Sequence, residues 1–128
     1  MTTVYMYDQH VLYGQELAEK LPEGIDCVFF TSCGSEANAY ASQFAQLYTG
    51  NYSVLNLRNA YHGHGGSRHL SNIPTWSENI PYTQGVAGAV FTDLFRDPQT
   101  NKEYGRRFKE TLDFATPGKV AMFMAEPI

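Results

Sequence analysis

At 128 residues, with 43 % hydrophobic and 17 % charged positions, the chain has the size and composition of one soluble globular domain large enough to bury a core. A net charge of −4 without a block of Lys or Arg argues against a nucleic-acid surface. No apolar run approaches the roughly 20 residues that a membrane-spanning helix needs, so neither nucleic acid nor a membrane is an expected partner.

The first eight residues, Met1 to Asp8, have neither the basic start and apolar core of a secretory signal nor the character of an organelle presequence. From Asp8 to Leu21 the apolar positions Val11, Leu12, Leu17, Ala18 and Leu21 recur at near-helical spacing, which predicts an amphipathic helix ended by Leu21-Pro22-Glu23-Gly24. A strand over Asp26–Thr31 is expected next, with Cys27 buried in it. Cys27 and Cys33 give little support to a disulfide scaffold, and reduced thiols in an intracellular compartment are the default.

A second helix is expected over Ser35–Tyr48, its stripe of Ala37, Ala41, Phe44, Ala45 and Tyr48 packing on a sheet and Gly50 serving as a left-handed cap. Ser53-Val54-Leu55-Asn56-Leu57 reads as a strand parallel to the first, completing one βαβ unit. Periodicity then fades from Arg58 to Asp97, where Gly63, Gly65, Gly66, Pro74, Pro81, Gly85 and Gly88 suggest a long irregular excursion of the kind that carries function. A helix over Glu103–Phe114 and a strand over Lys119–Ala125, apolar on both faces, close the pattern. The expected fold is α/β with a mostly parallel sheet and flanking helices.

Ligands of such folds sit beyond the carboxyl ends of parallel strands. Three of these ends carry Cys33-Gly34-Ser35, Tyr61-His62-Gly63 and Glu126-Pro127, and they can converge on one site. A helix start at Gly34 and Ser35 offers unpartnered backbone N–H groups to an anion, and Gly34 has no side chain to obstruct it. The glycine patterns of dinucleotide and nucleoside-triphosphate loops are absent, so a monophosphate fits better. Tyr61 beside a glycine can cover a planar heterocycle. His62, His64 and His69 lack the spacing of zinc sites, and no metal is expected. Cys33 has no visible base partner, which makes nucleophilic catalysis the weaker reading. Glu126 stands at the end of an otherwise apolar strand, a placement shared by active-site acids and by ordinary boundary charges.

Taken together, Leu21-Pro22-Glu23-Gly24, Cys33-Gly34-Ser35-Glu36-Ala37-Asn38, Ala60-Tyr61-His62-Gly63, Asp93-Leu94-Phe95-Arg96 and Ala125-Glu126-Pro127-Ile128 resemble the class III pyridoxal-phosphate-dependent aminotransferases. The resemblance is strongest to their mitochondrial alanine–glyoxylate group. It implies the large domain of a fold-type I transferase and the cofactor pyridoxal 5'-phosphate. Gly34 and Ser35 would bind its phosphate, Tyr61 would stack on its ring, His62 would line the pocket, and Glu126 would be the catalytic candidate, orienting groups near the ring.

The same resemblance implies amino-group transfer from an amino acid such as alanine to a 2-oxo acid such as glyoxylate, a homodimer and a mitochondrial address. It departs from the family pattern at Cys33 and Ala39. The family's cofactor-bearing Lys and ring-pairing Asp follow the segment at Glu126, and Lys20, Lys102, Lys109 and Lys119 are poor substitutes. Residues 1–128 therefore read as an incomplete cofactor-binding domain with little turnover of its own. Aminomutase or decarboxylase chemistry on the same fold, or a non-catalytic chain that binds a phosphorylated metabolite, are the alternatives.

Overall fold

The computed structural model describes residues 7–64, 70–73, 75, 85–90 and 92–126. The expectations attached to Gly65, Gly66, His69, Pro74, Pro81, Pro127 and Ile128 lie outside these residues. The chain divides into two compact units, Met1–Thr31 and Ser32–Ile128.

In the first unit, helix α1 spans Asp8–Ala18 and stops before Leu21, with Leu21 N–H bonded to Ala18 O in a closing turn. None of its residues is buried, so the expected apolar face is not covered. What holds it is Phe30, whose ring stacks on His10 and Tyr13 with centroids 5.5 Å from each. A strand needs a ladder partner, and residues 26–31 have none among the described residues. The expected strand over Asp26–Thr31 is therefore not formed, and Cys27, placed by sequence in a buried strand, is exposed.

The second unit is built on a three-stranded parallel sheet. Its strands are β1 (Val54–Leu57), β2 (Val86–Ala89) and β3 (Met122–Met124), in the order β2-β1-β3. Val54 pairs with Val86 on one side and Met122 on the other, so the parallel neighbours of β1 come from later in the chain rather than from residues 26–31. Helix α2 spans Gly34–Thr49 and helix α3 spans Asn101–Ala115.

Alternation along parallel strands puts Leu55, Leu57, Ala87 and Ala89 on one face. Phe108 and Leu112 of α3 close over them, and Phe108 meets Phe123 edge-on at 5.2 Å. This is the apolar core of the unit. Thr100 caps α3 by accepting from Glu103 N–H, and Glu103 in turn bonds Arg106 and Arg107. Those guanidinium groups hold the Glu103 carboxyl down to a pKa of about 2.

On the opposite face stands Asn56, fully buried in the middle of β1. Its amide donates to Leu70 O and accepts from Asn72 Nδ2 at 3.3 Å, so a strand position that hydropathy would fill with an aliphatic side chain instead ties down residues 70–72. Gly88 of β2 makes room for this pair: a Cβ there would lie 1.9 Å from Asn72 Nδ2. Sequence reading left β2 inside an irregular excursion because its residues are small and glycine-flanked. The brief apolar run Val86-Ala87-Gly88-Ala89-Val90 was the available signal.

Helix α2 is turned differently from expectation. Its inward side carries Ser35, Asn38, Ala39, Ser42 and Ala45, whereas Phe44 is exposed and Tyr48 is 93 % exposed. Small side chains allow close approach of a helix to its neighbours, and the aromatic rings project outward. Gly50 does cap the helix in the left-handed region, with φ of 65°. Strand β3 is shorter than Lys119–Ala125 and only half-buried, with Phe123 exposed rather than covered on both faces.

Candidate functional site

The start of α2, the loop after β1 and the end of β3 meet within the second unit. Cys33 is the N-cap in extended conformation, and the first backbone bond into the helix runs from Ala37 N–H to Cys33 O. The N–H groups of Gly34, Ser35 and Glu36 have no acceptor among the described residues, as the geometry of a helix start dictates. Gly34 has ordinary negative φ and open space where a Cβ would stand, so its contribution is a missing side chain rather than unusual backbone freedom.

Glu36 Oε2 accepts from both the N–H and the hydroxyl of Ser32, each at 2.7 Å. These bonds, the backbone one foremost, lower its pKa. The acid in the first turn thus turns back toward Ser32. Glu36 stands three residues after the Cys33 N-cap, the position from which an acid reaches back to the helix start.

Two hydrogen bonds tie the loop after β1 to α2. Ser35 Oγ accepts from His64 N–H at 3.1 Å, and Asn38 Nδ2 donates to His62 O at 2.9 Å. A third joins the loop to β3: Glu126 Oε2 accepts from Tyr61 N–H at 2.8 Å. Gly34, Ser35, Tyr61, His62 and Glu126 are therefore neighbours in space. Asn38 was not singled out from sequence, since an Asn within a helix is commonly a solvated residue.

Tyr61 is 38 % exposed, its ring edge-on to His64 at 5.3 Å. His62 is only 5 % exposed, and its Nε2 is buried with no hydrogen-bond partner among the described residues. Burial lowers the pKa of His62 by penalising the imidazolium, while the Glu126 carboxylate pulls weakly the other way. An imidazole with one nitrogen unpartnered among the described residues, a half-exposed aromatic ring, a carboxylate and the N–H groups of the helix start form a site that can hold a polar, planar, anionic molecule.

Next to Glu126, a cavity of about 270 Å³ is lined by Arg58, Asn59, Ala60, Asp93 and Arg96. Asp93 forms a compact turn there, accepting from the N–H groups of Phe95 and Arg96 and from the Arg96 guanidinium at 2.9 Å. Within the second unit, Lys109 pairs with Asp113, and Lys119 precedes β3, at the end opposite Glu126; within the first, Lys20 pairs with Glu16.

The α/β architecture, a small parallel sheet with flanking helices, is that of solved transaminases. A PLP-bound aminotransferase mutant from Vibrio fluvialis superposes with a TM-score of 0.81 at 26 % identity, over 100 % of this chain and 31 % of that one. Among curated proteins, mitochondrial alanine–glyoxylate aminotransferase 2 of Pongo abelii is 29 % identical over 152 residues, covering 99 % of this chain. The mitochondrial alanine–glyoxylate aminotransferase 2 homolog 2 of Arabidopsis thaliana is 30 % identical over 130 residues, again covering 99 % of this chain. The chain spans 30 % and 27 % of the lengths of these two relatives. No protein-family model matches it.

Proposed function

We propose that the protein is a pyridoxal-phosphate-dependent aminotransferase that moves an amino group from an amino acid such as alanine to a 2-oxo acid such as glyoxylate. In this reading the N–H groups at Gly34 and Ser35 bind the cofactor phosphate, Tyr61 covers the ring, His62 lines the pocket and Glu126 orients groups beside it. The observation that carries it is the meeting of these five residues through the Ser35–His64 and Tyr61–Glu126 hydrogen bonds. The names of the aminotransferase relatives support the reaction class, and the PLP-bound neighbour supports the cofactor.

The residues present fit that cofactor. A phosphate meets the N–H groups of the helix start and an open position at Gly34, and His62 Nε2, unpartnered among the described residues, offers a buried polar atom to the ring's substituents. When bound, the cofactor supplies an electron sink for the substrate carbon, and the protein's part is to bind and orient. Ser35 and Asn38 hold the loop, Tyr61 excludes water from one ring face, and Glu126 fixes the backbone from which Tyr61 projects. A homodimer and a mitochondrial location belong to the same proposal, the location from the printed names of the relatives.

Calorimetric titration of the chain with pyridoxal 5'-phosphate and, separately, with inorganic phosphate tests the site. Tighter binding of the cofactor than of phosphate is expected; equal affinities, or none, overturn the reading. For the reaction, the protein incubated with alanine, glyoxylate and pyridoxal 5'-phosphate should form pyruvate and glycine in equal amounts.

A further inference from the structure

Ser71 lies outside every motif that singled out the site, and its side chain is buried against the ring-bearing loop. Its hydroxyl accepts from His62 N–H at 2.8 Å and donates to Gly63 O at 3.1 Å. One side chain thus bridges the 61–62 and 63–64 peptide groups of the loop. A serine at this point is not free to move, because the residues around it are fixed from β1. Asn72 exchanges backbone bonds with the start of the loop, from Asn59 N–H to Asn72 O at 2.7 Å and from Asn72 N–H to Ala60 O at 2.9 Å. Asn56 holds Leu70 O and the Asn72 amide on either side of Ser71.

The two peptide planes that flank the Tyr61 Cα are therefore each held by a side chain. Glu126 holds the plane before it through Tyr61 N–H, and Ser71 holds the plane after it through His62 N–H. Peptide groups are planar, so fixing both leaves φ and ψ of Tyr61, and with them the direction of its Cα–Cβ bond, little freedom. We infer that Ser71 is a positioning residue for Tyr61: its hydroxyl aims the aromatic ring at the place where the flat part of the cofactor binds. It touches neither cofactor nor substrate.

This inference rests on the cofactor reading, and the experiment separates the two. Ser71→Thr keeps the hydroxyl, whereas Ser71→Val has the same shape without it, so the pair isolates the hydrogen bonds from packing. Pyridoxal 5'-phosphate affinity should fall about tenfold in Ser71→Val, the scale of one buried hydrogen bond, and stay within about threefold in Ser71→Thr. Inorganic phosphate, which needs only the start of α2, should bind the parent and both variants alike. Without ligand, amide exchange at His62 should be faster by at least about tenfold in Ser71→Val and unchanged in Ser71→Thr. A parent chain that fails to bind pyridoxal phosphate sinks the cofactor reading. A Ser71→Val chain with parental His62 exchange, or with parental preference for pyridoxal phosphate over phosphate, overturns the positioning role of Ser71.

Discussion

The Glu126 carboxylate accepts the backbone N–H of Tyr61 at 2.8 Å, across 65 positions of sequence. It joins the loop after β1 to the end of β3, two strands that are parallel neighbours in the sheet. The bond uses a backbone donor, so what it asks of residue 126 is an acceptor at the right height rather than a negative charge.

Replacement of Glu126 by Gln and by Ala should separate these two demands. Gln retains a carbonyl oxygen, and pyridoxal-phosphate affinity should stay within about threefold of the parent. Ala leaves Tyr61 N–H without its acceptor and should weaken the cofactor by about tenfold, the scale of one hydrogen bond. Calorimetry of the three proteins checks this, and parental affinity in the Ala variant contradicts the role given to Glu126.

His62 sets a pH dependence. Burial lowers its folded-state pKa below the ordinary 6.5, so the unfolded chain takes up a proton that the folded chain refuses. Its contribution to stability is complete above 6.5 and is lost as the pH falls from there through the depressed folded value. Urea midpoints measured between about pH 5 and 8 should decline on the acid side in the parent, and less steeply in His62→Gln, whose side chain does not titrate. An identical acid-side decline in both proteins removes His62 as the cause.

Gly34 should tolerate Ala in the fold but not in the site. A Cβ there meets nothing within 4 Å, and the backbone is not in the left-handed region, so Gly34→Ala should leave the urea midpoint unchanged or raise it slightly. The same methyl stands where an anion approaches the N–H groups of α2. Phosphate and pyridoxal-phosphate affinities should both drop about threefold or more, by analogy with other crowded anion sites. Unchanged affinity for both ligands counts against the start of α2 as the phosphate site.

Gly88 should behave in the opposite way. An added Cβ would fall 1.9 Å from Asn72 Nδ2, an amide that Asn56 Oδ1 accepts from within the buried layer over β1. Gly88→Ala must displace it and break that pair, at a cost of about 1–3 kcal/mol. A lower urea midpoint with unchanged slope is expected, and accelerated exchange at Asn59, whose N–H is held by Asn72 O, should accompany it.

Local chemistry made much of this legible in the sequence. Gly50 at the end of an alanine-rich run marks a helix boundary because caps depend on residues only a few positions apart, whereas the cap at Thr100 lies before the Glu103 start that periodicity suggests. As at Gly50, local chemistry marks Gly34-Ser35 as a helix start and the apolar stretches of β1 and β3. The long excursion hid β2, because Val86-Ala87-Gly88-Ala89 is too small and too short to stand out by hydropathy. The face of α2 differs for a related reason: hydropathy favours the aromatic residues, whereas close packing turns Asn38 and Ser42 inward beside Ala45.

Asp26–Thr31 shows the limit most plainly. Its apolar residues satisfy every local criterion for a strand, yet strand formation is a property of two segments, and Phe30 instead packs on α1. By itself the sequence determined which segments are helical and which residue types could meet an anionic, planar ligand, since those are matters of neighbouring backbone groups and side-chain chemistry. The tertiary structure alone decided that Asn56 would anchor residues 70–72 and that Glu126 and Ser71 would hold the two peptide planes around Tyr61. Hydrogen bonds between distant segments exist only once the parallel sheet has brought those segments within 3 Å or so of one another.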